Sequence, residues 1–148
     1  TGITWKEAMG YCDWLAGQLG LDPAQVTLPS QAEYLRALRG TTVRGEPTQA
    51  GYWEKQKFHE RNRRAEVKGF VFDQIIHYGK GRMYDLLANV AEWGRDEQGG
   101  KRSLLGGDFH QKRAGFNPLE PRWSPPATRD QIVGFRYVIL NSPPRSEK

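Results

Sequence analysis

The chain has 148 residues, a length that fits one domain built on a single hydrophobic core. Its 22 basic and 17 acidic residues leave a net charge of +5, a modest excess that suits a solvated surface or an acidic partner such as nucleic acid. Cys12 is the one cysteine, which excludes an intrachain disulfide and a thiolate cluster. No apolar run approaches the roughly 18 residues of a membrane span and no signal-peptide pattern is present, so no membrane contact is expected and the cytoplasm is favoured. Abundant glycine and proline predict a turn-rich fold.

Thr4-Trp5-Lys6-Glu7 has the form of a capping box, with Thr4 as cap and Glu7 reaching back. Trp5, Ala8, Met9, Cys12, Leu15, Ala16 and Leu19 then follow helical spacing on one face, and Gly20 is a natural stop. Cys12 falls on that apolar face, as a buried inert thiol does. A second capping box opens at Ser30 with Glu33, preceded by Pro29 and closed by Gly40. Ala32, Leu35 and Leu38 give this helix a narrow apolar face, widened by Tyr34. The predicted helices are therefore Thr4–Gly20 and Ser30–Arg39.

From Thr41 to Lys68 the periodicity dissolves. This stretch carries the basic run Lys55, Lys57, Arg61, Arg63 and Arg64, close to Trp53 and His59. It reads as a solvated loop, or as a surface that contacts phosphates and stacks on bases. Gly69 to Phe72 and Ile75-Ile76 are short strand-like pieces, and Gly79-Lys80-Gly81 is a turn without the pattern of a phosphate loop. Further on, Asn89 lies between Ala88 and Val90, where a buried amide closes a turn on backbone groups.

The stretch from Leu104 to Arg136 governs function. Gly106-Gly107 ends a short apolar run and allows backbone freedom. Ile132 to Leu140 is apolar-rich and reads as a buried strand. Between them Pro118, Pro121, Pro125 and Pro126 forbid a single helix. A long structured loop held between two strands is where binding residues concentrate. Residues 141–148 are a polar, proline-rich flexible tail.

These landmarks resemble the formylglycine-generating enzyme (sulfatase-modifying factor) family. The family's first helix motif is matched by Ile3-Thr4-Trp5 through Ala8, Tyr11-Cys12 and Trp14. Its second is matched by Leu28-Pro29-Ser30-Gln31-Ala32-Glu33-Tyr34. Asn89-Val90-Ala91-Glu92-Trp93, Gly106-Gly107-Asp108-Phe109 and Gly134-Phe135-Arg136 follow in the family's order. The resemblance implies one domain over residues 1–140. Its fold class is α+β and C-type-lectin-like: two helices on a small, twisted, mostly antiparallel sheet, with strands near Ser103–Leu105 and Gly134–Leu140. It assigns structural roles to Trp5, Trp14, Glu33, Asn89, Trp93, Gly106, Gly107, Gly134, Phe135 and Arg136, the last pairing with a carboxylate. The family's opening strands precede the first helix and have no counterpart here. The apolar surface they cover is expected to meet a protein partner or another segment of the same protein.

The family's oxidases bind copper through two cysteines that follow the Gly-Gly landmark. Gln111 and Phe116 stand at those places, and neither can replace a thiolate for Cu(I). On the resemblance, oxidase chemistry is lost and no cofactor is expected; calcium at Asn89 is the single metal the resemblance suggests. The related sulfoxide synthases resemble Arg122 to Pro126 and Arg129 to Arg136, but their iron ligands belong to a helical domain. His59, His77 and His110 show no helical ligand spacing.

Variable proteins of diversity-generating retroelements use the same fold to display ligand residues between the Gly-Gly and Gly-Phe-Arg landmarks. The leading expectation is therefore a recognition domain, not an enzyme, that binds through residues 109–123. Phe116 and Trp123 are candidate anchors, and His110, Gln111, Lys112, Arg113, Asn117 and Arg122 are candidate polar contacts. Phe109 is expected to pack the loop on its own core. The alternatives are an enzyme module completed by another domain and a structural subunit.

Overall fold

A computed structural model describes residues 1–39, 74–77, 81–84, 86, 89–108, 110, 117 and 119–142. The first helix, α1, spans Trp5–Leu19. Its capping box is complete: Thr4 Oγ1 accepts from the Glu7 N–H, and Glu7 Oε2 accepts from the Thr4 N–H at 2.8 Å. Gly20 ends it at φ 66°, a left-handed conformation that glycine adopts without a Cβ clash. Ala8, Cys12 and Ala16 are fully buried at a spacing of four, a stripe narrow enough for the helix to lie close on its neighbours. Two expected members of the structure lie elsewhere. Leu19, in the last turn, is 50% exposed. Trp14 is 56% exposed, because two residues beyond Cys12 is about 200° around the helix, on the far side from the stripe.

A short 3-10 turn at Pro23–Gln25 leads into β1, Val26–Thr27. Ser30 and Glu33 form the second capping box, opening α2 at Gln31–Arg39. The buried face of α2 is centred on Tyr34 and Leu38, whereas Ala32 is exposed. Tyr34 wins the core because its hydroxyl reaches a buried partner, donating to Leu86 O at 2.7 Å. Next come β2, Gln74–His77, and β3, Gly81–Tyr84, paired antiparallel. The strand-like reading of Ile75-Ile76 holds; Gly69 to Phe72 lie outside the described residues.

The main sheet has the order β6-β5-β4-β7. Strand β4 is Ala91–Gln98, β5 is Lys101–Leu105, β6 is Arg122–Ser124 and β7 is Val133–Gly134. All pairings are antiparallel except β4 with β7. The last strand, β8, is Val138–Ile139 and pairs antiparallel with β1. The apolar run from Ile132 to Leu140 is therefore two strands in two sheets, not one. Residues 135–137 cross between the sheets, and outward-facing Tyr137 and Ile139 are 44 and 50% exposed.

The core gathers α1, β1, β4, β5 and β7 around Trp93, which is fully buried. Its indole N–H donates to Ile3 O at 3.0 Å, and the Trp5 indole N–H donates to Gly94 O at 3.0 Å. Two ring nitrogens thus sew the entry to α1 onto β4. Gly94 makes that approach feasible: a Cβ there would overlap Ser103 Oγ and lie 3.1 Å from both Pro29 O and Leu105 Cδ1. The architecture is α+β, two helices with small, mostly antiparallel sheets. No described helix is long and apolar enough to cross a membrane.

Candidate functional site

Strand β5 delivers the chain to Gly106, whose φ of 69° turns it out of the sheet. A Cβ on Gly106 would lie 2.7 Å from Leu86 O and 3.2 Å from the Tyr34 hydroxyl, so the turn requires glycine twice over. Asp108 follows, 2% exposed. Its Oδ1 accepts from the His110 N–H at 2.9 Å, and its Oδ2 lies 2.9 Å from Arg122 Nη2. The Arg122 contact is an ion pair without hydrogen-bond alignment, since Nε and Nη2 make no hydrogen bond. Arg122 begins β6, which pairs directly with β5, Leu104 opposite Arg122 and Ser103 opposite Trp123. Residues 106–121 therefore leave the sheet and return to it on adjacent strands, with a buried carboxylate and an arginine across the base.

The far side of the loop is also fastened. Asn117 Oδ1 accepts from Leu119 N–H, Asn117 O accepts from Glu120 N–H, and Gln31 Nε2 donates to Leu119 O at 3.0 Å. His110, Asn117 and Leu119 are exposed. Trp123 is half-buried and lines an open groove of about 340 Å³ with Gln98, Gly99 and Lys101. Of the candidate binding residues, the structure brings Arg122 to Asp108 and Trp123 to the groove. Gln111, Lys112, Arg113 and Phe116 lie outside the described residues, as do Phe109 and the basic run Lys55, Lys57, Arg61, Arg63 and Arg64.

Just after β7, Arg136 grips the buried Glu92 of β4 with two donors, Nε to Oε2 and Nη2 to Oε1 at 2.7 Å. Glu92 is the carboxylate that Arg136 was expected to find. Asn89 is 4% exposed with φ 75°, so it serves a left-handed turn that side-chain amides tolerate. Among the described residues no three His, Cys, Asp or Glu side chains gather as a metal site.

Sequence reasoning missed the charged network on β4 and β5. Arg95 pairs with Glu33 at 2.9 Å, Arg102 pairs with Glu97 at 2.6 Å, and Arg102 also lies over the Trp5 ring at 4.1 Å. Asp96 Oδ2 accepts from the Gln31 N–H at 2.6 Å, at the N-terminus of α2. Its sequence signal was the dense charge of residues 92–102, too polar to announce a strand. Burial pulls Glu33 upward, but the Ser30 N–H and Arg95 outweigh it and hold the carboxyl below its usual range. Burial pushes the Cys12 thiol up to about 11, with Asp13 adding to the shift, so it stays protonated at neutral pH.

The profile of the sulfatase-modifying factor enzyme 1-like domain matches residues 1–140. The chain belongs to that family. Among solved structures, variable protein 1 of Treponema denticola is similar with a TM-score of 0.69 and 20% identity, covering 93% of this chain and 69% of its own. CarF is similar at TM-score 0.66 and 19% identity, covering 96% and 67%. PvdO from Pseudomonas aeruginosa is similar at TM-score 0.63 and 16% identity, covering 94% and 60%. At these identities the likeness is one of fold. No curated protein matches the chain in sequence.

Proposed function

We propose that this domain is a recognition module, in which the sheet presents residues 109–123 to an acidic ligand or protein partner. One observation carries the reading. The loop is rooted on two adjacent paired strands and braced at its base by Asp108 and Arg122, so its ends are fixed before any ligand arrives. Fixing a loop beforehand removes an entropic cost from binding. With Arg122 facing Asp108, the loop's remaining charges are Lys112 and Arg113 against Glu120, a positive balance that favours acidic partners. Trp123 supplies a ring beside Lys101 in the adjoining groove, a surface that can stack a flat group next to a cation.

The brace decides how to test this. Arg122 and Arg102 are engaged within the fold, so neither is a clean probe of binding. The double substitution Lys112→Ala with Arg113→Ala is compared with Lys6→Ala and Arg36→Ala, two exposed helical cations, using a fluorescent single-stranded oligonucleotide and a heparin oligosaccharide as acidic probes. The loop pair weakens binding by roughly fivefold or more at low salt, and the helix pair changes it less than twofold. An unchanged affinity in the loop pair, with loss in the helix pair, would sink the proposal. The enzyme reading has its own assay: incubation with Cu(I), oxygen and a cysteine peptide leaves the peptide unmodified by mass spectrometry, and formation of formylglycine would overturn recognition as the function.

A further inference from the structure

The strands of the main sheet carry four cations, Arg95, Lys101, Arg102 and Arg122. Three are neutralised within the fold, by Glu33 at 2.9 Å, Glu97 at 2.6 Å and Asp108 at 2.9 Å. Lys101 is the exception: it is exposed, and no carboxylate pairs with it among the described residues. It lines the open groove of about 340 Å³ together with Gln98, Gly99 and Trp123, and none of these is acidic. Trp123 also differs from the tryptophans of the core. The Trp5 and Trp93 indole N–H groups both donate to backbone carbonyls at 3.0 Å. Among the described residues nothing accepts from the Trp123 indole N–H, and its ring is half-buried in the wall of the groove.

Strand register brings these groups onto one face. Trp123 stands opposite Ser103, and Gln98 opposite Lys101. Lys101 and Ser103 are two residues apart on β5, so their side chains leave the same side of the sheet. Trp123 and Lys101 are therefore diagonal neighbours, a spacing that a large ring and a long side chain both span. Gly99 and Gly100 close the hairpin at φ 56° and 76°, and a Cβ on either would meet no atom within 4 Å. That end of the groove is open, and a chain can run out past it.

The groups select the occupant. A ring face takes a flat partner, an ammonium takes an anion, and an amide both donates to and accepts from the edge of a base. A sulfated sugar has the charge without the flat face, and so does an acidic side chain. A nucleotide has both. The volume is at the low end of the roughly 300–1,000 Å³ of ligand sites, which suits one unpaired base. The net charge of +5 favours a polyanion. We propose that the groove holds one base of a single-stranded nucleic acid flat on Trp123, with its neighbouring phosphate on Lys101 and its edge within reach of the Gln98 amide. This deepens the recognition reading and rests on it for the acidic class of the ligand.

The experiment uses protein expressed from the whole open reading frame and a fluorescent single-stranded oligothymidylate. The unaltered protein binds this strand at least about fivefold more tightly than an abasic strand of the same length and charge, because stacking is lost without the base. Trp123→Leu removes that preference and leaves the salt dependence unchanged. Lys101→Ala keeps the preference and lowers the slope of affinity against salt by about 0.7, one phosphate contact on a single strand. With 5-iodouracil in the strand, illumination cross-links it to Trp123, located by mass spectrometry. An abasic strand that binds the unaltered protein as tightly as oligothymidylate overturns the proposal whether or not the variants fold. So do cross-links that miss Trp123, or a heparin oligosaccharide that loses as much affinity from Trp123→Leu as the oligonucleotide does. The loop cations are intact in all these arms. If Lys112→Ala with Arg113→Ala weakens the oligonucleotide while base and abasic strands bind alike, the loop reading stands and the groove assignment falls.

Discussion

Arg136 and Glu92 show why a closing arginine is needed. Glu92 sits on β4 at 7% exposure, and an ionised carboxylate there is costly without a partner. Two guanidinium donors supply one. Arg136→Met removes both guanidinium donors from this buried carboxylate and is expected to destabilise the fold by about 3 kcal/mol in urea unfolding. Adding Glu92→Gln removes the buried charge that those donors served, so the double variant should recover part of that loss. A double variant no more stable than Arg136→Met would show that the pair acts through packing rather than charge. Gly94 is a different residue-scale requirement. Nothing in its sequence setting marks it, yet its missing side chain lets Ser103, Leu105 and Pro29 meet β4.

Helix α1 is held at its start by charge and at its side by packing. Glu7 accepts from the Thr4 N–H and meets Arg129 Nη2 at 2.5 Å, and Arg129 also donates to Gly2 O. The Thr4 N–H, then Arg129, draw the Glu7 carboxyl down from 4.5 to about 2. A carboxylate depressed in the folded state adds stability above its unfolded pKa and loses it as pH falls through the folded one. The melting-temperature difference between the native chain and Glu7→Gln should therefore be full near pH 6, shrink below about pH 4.5 and vanish near pH 2. A difference that stays constant across that range would mean that Glu7 acts without its charge. The loop is built on the same element logic. It is inserted between β5 and β6, so its ends are set by a strand pair.

Among the described residues, one core joins α1 and β1 to the four-stranded sheet, whereas β8 pairs with β1 at its margin, with Ile139 exposed. Native-state hydrogen exchange should reflect this. Amides of Cys12 to Ala16 and of Trp93 should exchange only with global unfolding, at a common free energy. The Leu140 N–H, bonded to Gln25 O at 2.8 Å, should exchange through a smaller, local opening. Equal protection in both places would mean that the margin is part of the same cooperative unit.

Sequence alone determined the two helices, because capping boxes and helical spacing are local and α1 and α2 obey them. It determined the family, because Asn89 to Trp93, Gly106-Gly107 and Gly134 to Arg136 are short motifs whose order survives divergence. It also marked the end of β5, since the Gly-Gly pair that follows Leu105 allows the chain to turn out of the sheet. Tertiary structure alone decided the rest. The run from Ile132 to Leu140 looks like one strand, and only the positions of β4 and β1 divide it between two sheets. Tyr34 displaces Ala32 from the face of α2 because Leu86 O stands within reach. Nothing local to Arg122 names a partner for it, and the fold sets it 2.9 Å from the buried Asp108. In each case the local pattern fits two partners equally well, and the choice rests with residues far away in the chain.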